Sequence, residues 1–265
     1  KNNYQLKVHT FDIDLKAELK KKKYVDYVNH NCGLFSSSDP KDFYLCEEKT
    51  TSSCFKPNPK IKIYERKHHH KRLKYKELNI REIKTVDEEF INYKKIDFIK
   101  CDTQGSEYDI SLGAKRTLIN NCPIVALETW CENVYKNAPL DFKIRAFYEE
   151  NGFQLFATDI AAAWRYDSNN LFPLSRQRLI GENLLYIPRL EMFEKLSKEE
   201  LLSKIPIICF FGFYDYVYQI LKKFDYFEYL PLLKKLYAEF ANNYKFHNKL
   251  IRRLKGNKSL YPIIT

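Results

Sequence analysis

The segment Ile96-Asp97-Phe98-Ile99-Lys100-Cys101-Asp102-Thr103-Gln104-Gly105-Ser106-Glu107 constrains the fold most. A short apolar run ends in a carboxylate, turns at a glycine and enters a helical pattern behind Glu107. Strand, polar turn and helix in that order build open α/β sheets, in which ligands sit at the carboxyl ends of the strands. Asp102 is therefore expected to face a ligand crevice and not the core. The run Pro123-Ile124-Val125-Ala126-Leu127-Glu128, followed by Trp130, repeats the strand-plus-carboxylate pattern once more.

Other segments extend the alternation. Leu6–Ile13 reads as a buried strand, Leu15–Lys23 as a short basic helix and Tyr24–Asn31 as a second strand. Asp39-Pro40-Lys41-Asp42 has turn chemistry, with a short strand over Phe43–Cys46. Lys49–Lys76 reads as loop, Ile83–Asp87 as an edge strand, and Asp87–Phe90 as the opening of a short helix. Ser106–Asn120 is predicted as one helix in which Gly113 costs about 1 kcal/mol against alanine. Asp141–Asn151 is a helix stopped by Gly152. Phe153–Thr158 and Asn183–Ile187 are predicted as an antiparallel edge hairpin joined by the excursion Ala161–Glu182. Apolar strands alternating with helices indicate a parallel, doubly wound α/β sheet. From Leu190 the composition changes. Tyr229, Leu233, Leu236, Tyr237, Phe240 and Tyr244 recur at helical spacing, with Pro231 where a helix start tolerates it. The expected organisation is a sheet domain over 1–189 and a helical extension over 190–265.

With 265 residues, 45% of them hydrophobic, the chain has ample material for a core. The net charge of +11 favours anionic partners or reflects solvated lysine faces. The seven cysteines are odd in number and have no C-x-x-C pair, and several lie in apolar runs. They read as reduced thiols of a cytosolic protein, not as a disulfide framework or a four-cysteine zinc site. The longest apolar stretch, Ile205–Phe213, is about half of what a bilayer crossing needs.

Each candidate residue has a structural alternative. Asp12, between strand and helix, can accept both hydroxyls of a ribose or cap a helix. Asp102 can serve as general base, metal ligand or partner of a cationic cofactor group, or it can bind turn amides. Glu107 belongs to the site or favours the helix N-terminus. Glu128 can take or share a proton with Asp102, or pair with a lysine or arginine. His68-His69-His70 in an extended loop would point in different directions. Flanked by Lys67, Lys71 and Arg72, they read as a basic surface loop, and no metal site is predicted.

In order and spacing, Val8-His9-Thr10-Phe11-Asp12, Thr51-Ser52-Ser53 with Pro57-Asn58, Ile83–Asp87, Asp97–Glu107, Leu112-Gly113-Ala114 and Ile124–Glu128 together resemble the FkbM-type methyltransferases, over roughly residues 6–188. The resemblance implies a Rossmann-like class I methyltransferase with a seven-stranded sheet. It also implies S-adenosylmethionine as cofactor and O-methylation, often of a sugar hydroxyl. By that likeness Asp12 and Ile13 meet the cofactor ribose, where glutamate is more usual in the family. Asn31 and Cys32 border the adenine, and Asp102 lies by the methionine moiety and the transferring methyl. Asp102 and Glu128 are the catalytic candidates. Gln104, Glu107 and Trp130 are the acceptor-contact candidates. The family's first strand and its Asp-x-Gly-x-x-x-Gly loop are expected ahead of Leu6. With Lys1 first and Met192 the only methionine, the chain reads as part of a longer protein.

A competing class is a non-catalytic module that docks on anionic glycan, on lipid or on a glycosyltransferase through its basic, aromatic tail. Nucleic-acid methylation draws only on the charge, since no Asn-Pro-Pro-Tyr motif accompanies it.

Overall fold

Leu6–Phe11 (β1) and Val25–His30 (β2) run parallel in the computed structural model, in register from Leu6 with Val25 to Phe11 with His30. The structure describes residues 6–12, 24–64, 69–93, 95–166, 171–172 and 174–255, with 243–255 as backbone only. Ile13 and the helix expected over Leu15–Lys23 lie outside the described residues. The chain divides into two compact units, Lys1–Lys195 and Leu196–Thr265.

In the first unit, Gly33–Leu34 (β3) pairs parallel with Ile83–Lys84 (β6). Lys41–Cys46 (β4) pairs antiparallel with Tyr75–Ile80 (β5). The segment expected as loop over Lys49–Lys76 therefore differs from prediction: it holds two 3-10 turns, the short helix His69–Arg72 (α1) and the start of β5. β5 is mostly exposed and polar, so it has no apolar alternation to read. Its backbone amides pair with β4 regardless of side chain.

Val86–Glu89 (α2) opens on a reciprocal cap between Thr85 and Glu88. Phe98–Cys101 (β7) leads into Glu107–Leu112 (α3) and Lys115–Asn121 (α4). The single helix expected over Ser106–Asn120 is thus broken at Gly113. Glycine suits this junction, because a Cβ there would stand 2.2 Å from the backbone carbonyl oxygen of Phe35. The Asp87 carboxylate accepts from the amides of Arg116 (2.9 Å) and Thr117 (2.7 Å), and so caps α4 from a distant element.

Ile124–Trp130 (β8), Asp141–Glu150 (α5), Phe153–Trp164 (β9) and Arg178–Pro188 (β10) complete the unit. Among the described residues the largest sheet has the order β7-β8-β10-β9. β7 and β8 are parallel, whereas β10 is antiparallel to both β8 and β9. The sheet is mixed, and the β1–β2 and β3–β6 pairs form separate ladders. The antiparallel β9–β10 pair at the sheet edge is as expected, and the parallel part of this sheet among the described residues is the β7–β8 pair. The β9–β10 ladder continues to Trp164 opposite Arg178, so the connection is shorter than the predicted excursion.

The core joins Val125 and Leu127 of β8, Leu184 and Tyr186 of β10, Ile110 of α3, Leu118 of α4 and Ile144, Phe147 and Tyr148 of α5. Each fully buried aliphatic side chain of this kind contributes roughly 1.5–3 kcal/mol. Tyr148 stacks on Tyr186 at 4.4 Å between ring centroids, and its hydroxyl lies 3.0 Å from Ser111 Oγ. Gly152 stops α5 with φ +86°, as expected. Leu190–Lys195 forms a 3-10 turn whose Phe193 is buried, and this turn groups with the first unit.

The second unit is helical: Lys198–Phe210 (α6), Tyr214–Lys223 (α7) and Leu230–Lys255 (α8). Ser197 and Glu200 cap α6 reciprocally. Gly212 turns the chain at φ +89° between α6 and α7. No helix among the described residues is long and apolar enough to cross a membrane.

Candidate active site

Register places the two strand-end carboxylates side by side. Cys101 of β7 pairs with Leu127 of β8, so the next residues, Asp102 and Glu128, draw level. β8 runs two residues further than predicted, to Trp130.

The Asp102 turn is held by an inward carboxylate. Glu107 is 1% exposed, and its oxygens accept from Thr103 N (2.6 Å), Thr103 Oγ1 (3.0 Å) and Gly105 N (2.9 Å). Burial raises its pKa to about 7 against the opposing pull of those donors. Glu107 was expected either to touch an acceptor or to favour the helix N-terminus. Sealed from solvent, it locks the turn at the start of α3. Gln104 and Gly105 carry the reversal at φ +61° and +123°. A Cβ on Gly105 would meet Ala138 at 3.2 Å and Phe55 at 3.5 Å.

Gln104 joins the two carboxylates. Its Nε2 donates to Glu128 Oε1 (3.2 Å) and lies 3.4 Å from Asp102 Oδ1. Its Oε1 lies 3.0 Å from Tyr135 OH, whose single proton also has Thr51 O within reach at 2.8 Å. The phenol needs an acceptor and the carboxylates need donors, which fixes the amide orientation. Ser53 Oγ donates to the Gln104 carbonyl (2.8 Å), tying the turn to the segment before Phe55. Asp102 is exposed and pairs with Lys100 (3.3 Å). Glu128 is half-buried. Burial and the nearby Asp102 charge raise its pKa, opposed by the Gln104 bond.

Trp130, also expected at the acceptor, is 3% exposed and packs with Tyr135 and Trp164. The extension of β8 carries it into that cluster and away from solvent. Arg72, assigned to a basic surface loop, is likewise buried. Its guanidinium lies 5.6 Å from the Trp130 and Tyr135 rings and 5.7 Å from Trp164. His69 meets Trp164 edge-on at 4.6 Å. Lys67 and His68 lie outside the described residues. Arg72 adds a buried positive charge that opposes the upward shift of Glu128, and nothing in its sequence neighbourhood signals that role.

Asp12 and Asn31 end the parallel strands β1 and β2 and are both exposed, while Cys32 is buried. The Asp12 amide donates to His30 O (3.4 Å), which keeps the two strand exits together. Between them runs a polar chain that the sequence did not announce. His9 Nδ1 lies 2.8 Å from His30 Nε2, and His30 Nδ1 lies 2.9 Å from Glu89 Oε1. Burial, helped by His30, lowers the His9 pKa.

Among the described residues, Cys131, Asp141 and Glu182 could bring ligand atoms within 4.8 Å of one another. Arg145 already pairs with both carboxylates. Burial pushes the Cys131 thiol up to about 12, so it stays protonated. None of the seven cysteines is in a disulfide.

A family model described as the methyltransferase FkbM domain matches residues 5–155, more than half of the chain. The chain belongs to the FkbM methyltransferase family. The match spans the β1–β2 exits, the Asp102 turn and Glu128 together. No curated protein and no solved structure matches this FkbM methyltransferase.

Proposed function

We propose that this FkbM methyltransferase transfers a methyl group from S-adenosylmethionine to a hydroxyl of a saccharide acceptor, on a Rossmann-like sheet extended by the helical unit. The observation that carries the reading is the pair Asp102 and Glu128, level on adjacent parallel strands and joined by one amide nitrogen.

The chain's donor set suits the cofactor. An exposed carboxylate, Asp12, ends a parallel strand, and a ribose diol would donate to it. Asn31 and Cys32 end the neighbouring strand and would border the adenine. A second exposed carboxylate, Asp102, would attract the ammonium and sulfonium charges. When bound, S-adenosylmethionine supplies an electrophilic methyl that needs alignment more than activation.

Glu128 is the residue suited to receive the acceptor proton. Its raised pKa makes it a stronger base than an ordinary carboxylate, while the Gln104 bond keeps its ionised form populated. Gln104 orients Glu128 and is itself clamped by Tyr135. Glu128 would take the acceptor's hydroxyl proton as the methyl supplied by the cofactor is transferred, and Gln104 would hold the carboxylate in place for it.

Calorimetry with S-adenosylmethionine and its demethylated product tests the cofactor. Heat is expected with both, weakened by Asp12→Ala. Absence of heat with either overturns the reading. Asp102→Ala is expected to lower methyl transfer sharply, and full activity would remove Asp102 from the mechanism.

A further inference from the structure

One concavity among the described residues lies apart from Asp102 and Glu128. It is a cleft of about 510 Å³ that shares Phe55 with the Gly105 turn. A second cleft of about 200 Å³ adjoins it through Lys56 and Lys136. We propose that this trough is the acceptor-binding subsite and takes a sugar carrying a carboxylate or phosphate, remote from the hydroxyl that is methylated. Its assignment to the acceptor rests on the methyltransferase reading; its binding chemistry does not.

The charge is one-sided. Lys41, Lys56, Lys62 and Lys136 line the two clefts, and Asp42 is the one carboxylate among their lining residues. Lys56 is answered from outside by Glu77 at 2.9 Å. Lys41 lies over the Phe35 ring at 4.6 Å and feels Asp109 only through space. Lys136 is exposed and has no ion pair among the described residues. An anionic group entering between Lys41 and Lys136 therefore meets ammonium groups that no carboxylate already holds.

The walls are aromatic as well as basic. Tyr44 and Phe55 line the cleft with apolar ring surface, against which the C–H face of a sugar packs well. Asn137 and Asp42 offer hydrogen-bonding groups for hydroxyls at the same cleft. Its volume falls in the range of about 300–1,000 Å³ usual for small-ligand sites. Phe55 links the subsite to the chemistry. The Phe55 amide donates to Ser53 Oγ (2.9 Å), and that hydroxyl donates to the Gln104 carbonyl. Binding energy realised in the trough can thus act on the residue that orients Glu128.

The test is ligand-observed NMR on the whole chain at low salt with glucuronic acid, glucose 6-phosphate, glucose and inorganic phosphate. Both anionic sugars are expected to bind at least about tenfold more tightly than glucose, and more tightly than phosphate alone. Their relative affinities show which anion is preferred. Lys41→Glu with Lys136→Glu should weaken them by at least about tenfold, and Lys136→Glu alone should do so in part. Glucose binding as well as the charged sugars overturns the proposal. So does phosphate matching glucose 6-phosphate, or a folded double variant that binds like the parent. S-adenosylmethionine binding on the same sample is read separately. Its absence removes the methyltransferase reading and leaves the trough's sugar chemistry standing.

Discussion

Gln104 donates to Glu128 across 3.2 Å from a backbone held at φ +61°. The contact joins a turn residue to a neighbouring strand, and it combines with the Tyr135 bond to leave the amide one orientation. Gln104→Ala removes a donor that favours the ionised form of Glu128. The Glu128 carboxyl should then titrate at higher pH than in the parent, followed by carbon NMR. Methyl transfer should fall by about 100-fold, and stability by about 1 kcal/mol from the lost Tyr135 bond. An unchanged Glu128 titration would show that the bond does not form in solution.

Gly113 gives a prediction whose sign depends on the fold. By helix propensity alone, Gly113→Ala gains about 1 kcal/mol. The Phe35 carbonyl oxygen, 2.2 Å from the added Cβ, reverses that. Backbone has to move, and a net loss of about 1–3 kcal/mol is expected in urea denaturation. A stabilised variant would disprove the close approach.

Glu107 ties stability to pH. Its folded pKa of about 7 lies above the 4.5 of an unperturbed glutamate, so the folded state holds the proton more tightly. The stabilisation is complete below about 4.5 and is lost as pH rises through 7. Denaturation from pH 4.5 to 8 should show the parent losing on the order of a few kcal/mol relative to Glu107→Gln, whose side chain does not titrate. The glutamine variant should also be less stable at low pH, by about 1–3 kcal/mol, because its amide nitrogen meets a backbone donor. Parallel pH profiles for the two proteins would remove Glu107 as the source.

Asp87 supplies the cap that Ala114 lacks at the start of α4. Asp87→Ala leaves two amides of the first turn without their acceptor, and a loss of about 1–2 kcal/mol is expected. Asp87→Asn should recover part of it, because one side-chain oxygen remains. Hydrogen exchange at Arg116 and Thr117 reads the effect directly: their amides should exchange faster in the alanine variant.

What the sequence determined was local. Ile96–Glu107 alone told of a strand, a carboxylate at its end and a glycine turn, because apolar runs and turn residues act over a few bonds. Gly152 marked the end of α5 for the same reason. The motif words and their order also pointed to the FkbM family. The tertiary structure decided what depends on distant partners. Lys41–Cys46 made a strand of polar Tyr75–Ile80, and the Phe35 carbonyl explained Gly113. β8 carried Trp130 into the core, the aromatic cluster buried Arg72, and two backbone amides drew the Glu107 carboxylate inward. Gln104 became the link between Asp102 and Glu128 only because parallel pairing set Cys101 against Leu127. Burial and register are properties of neighbours brought together by the fold, and a residue's own sequence context does not carry them.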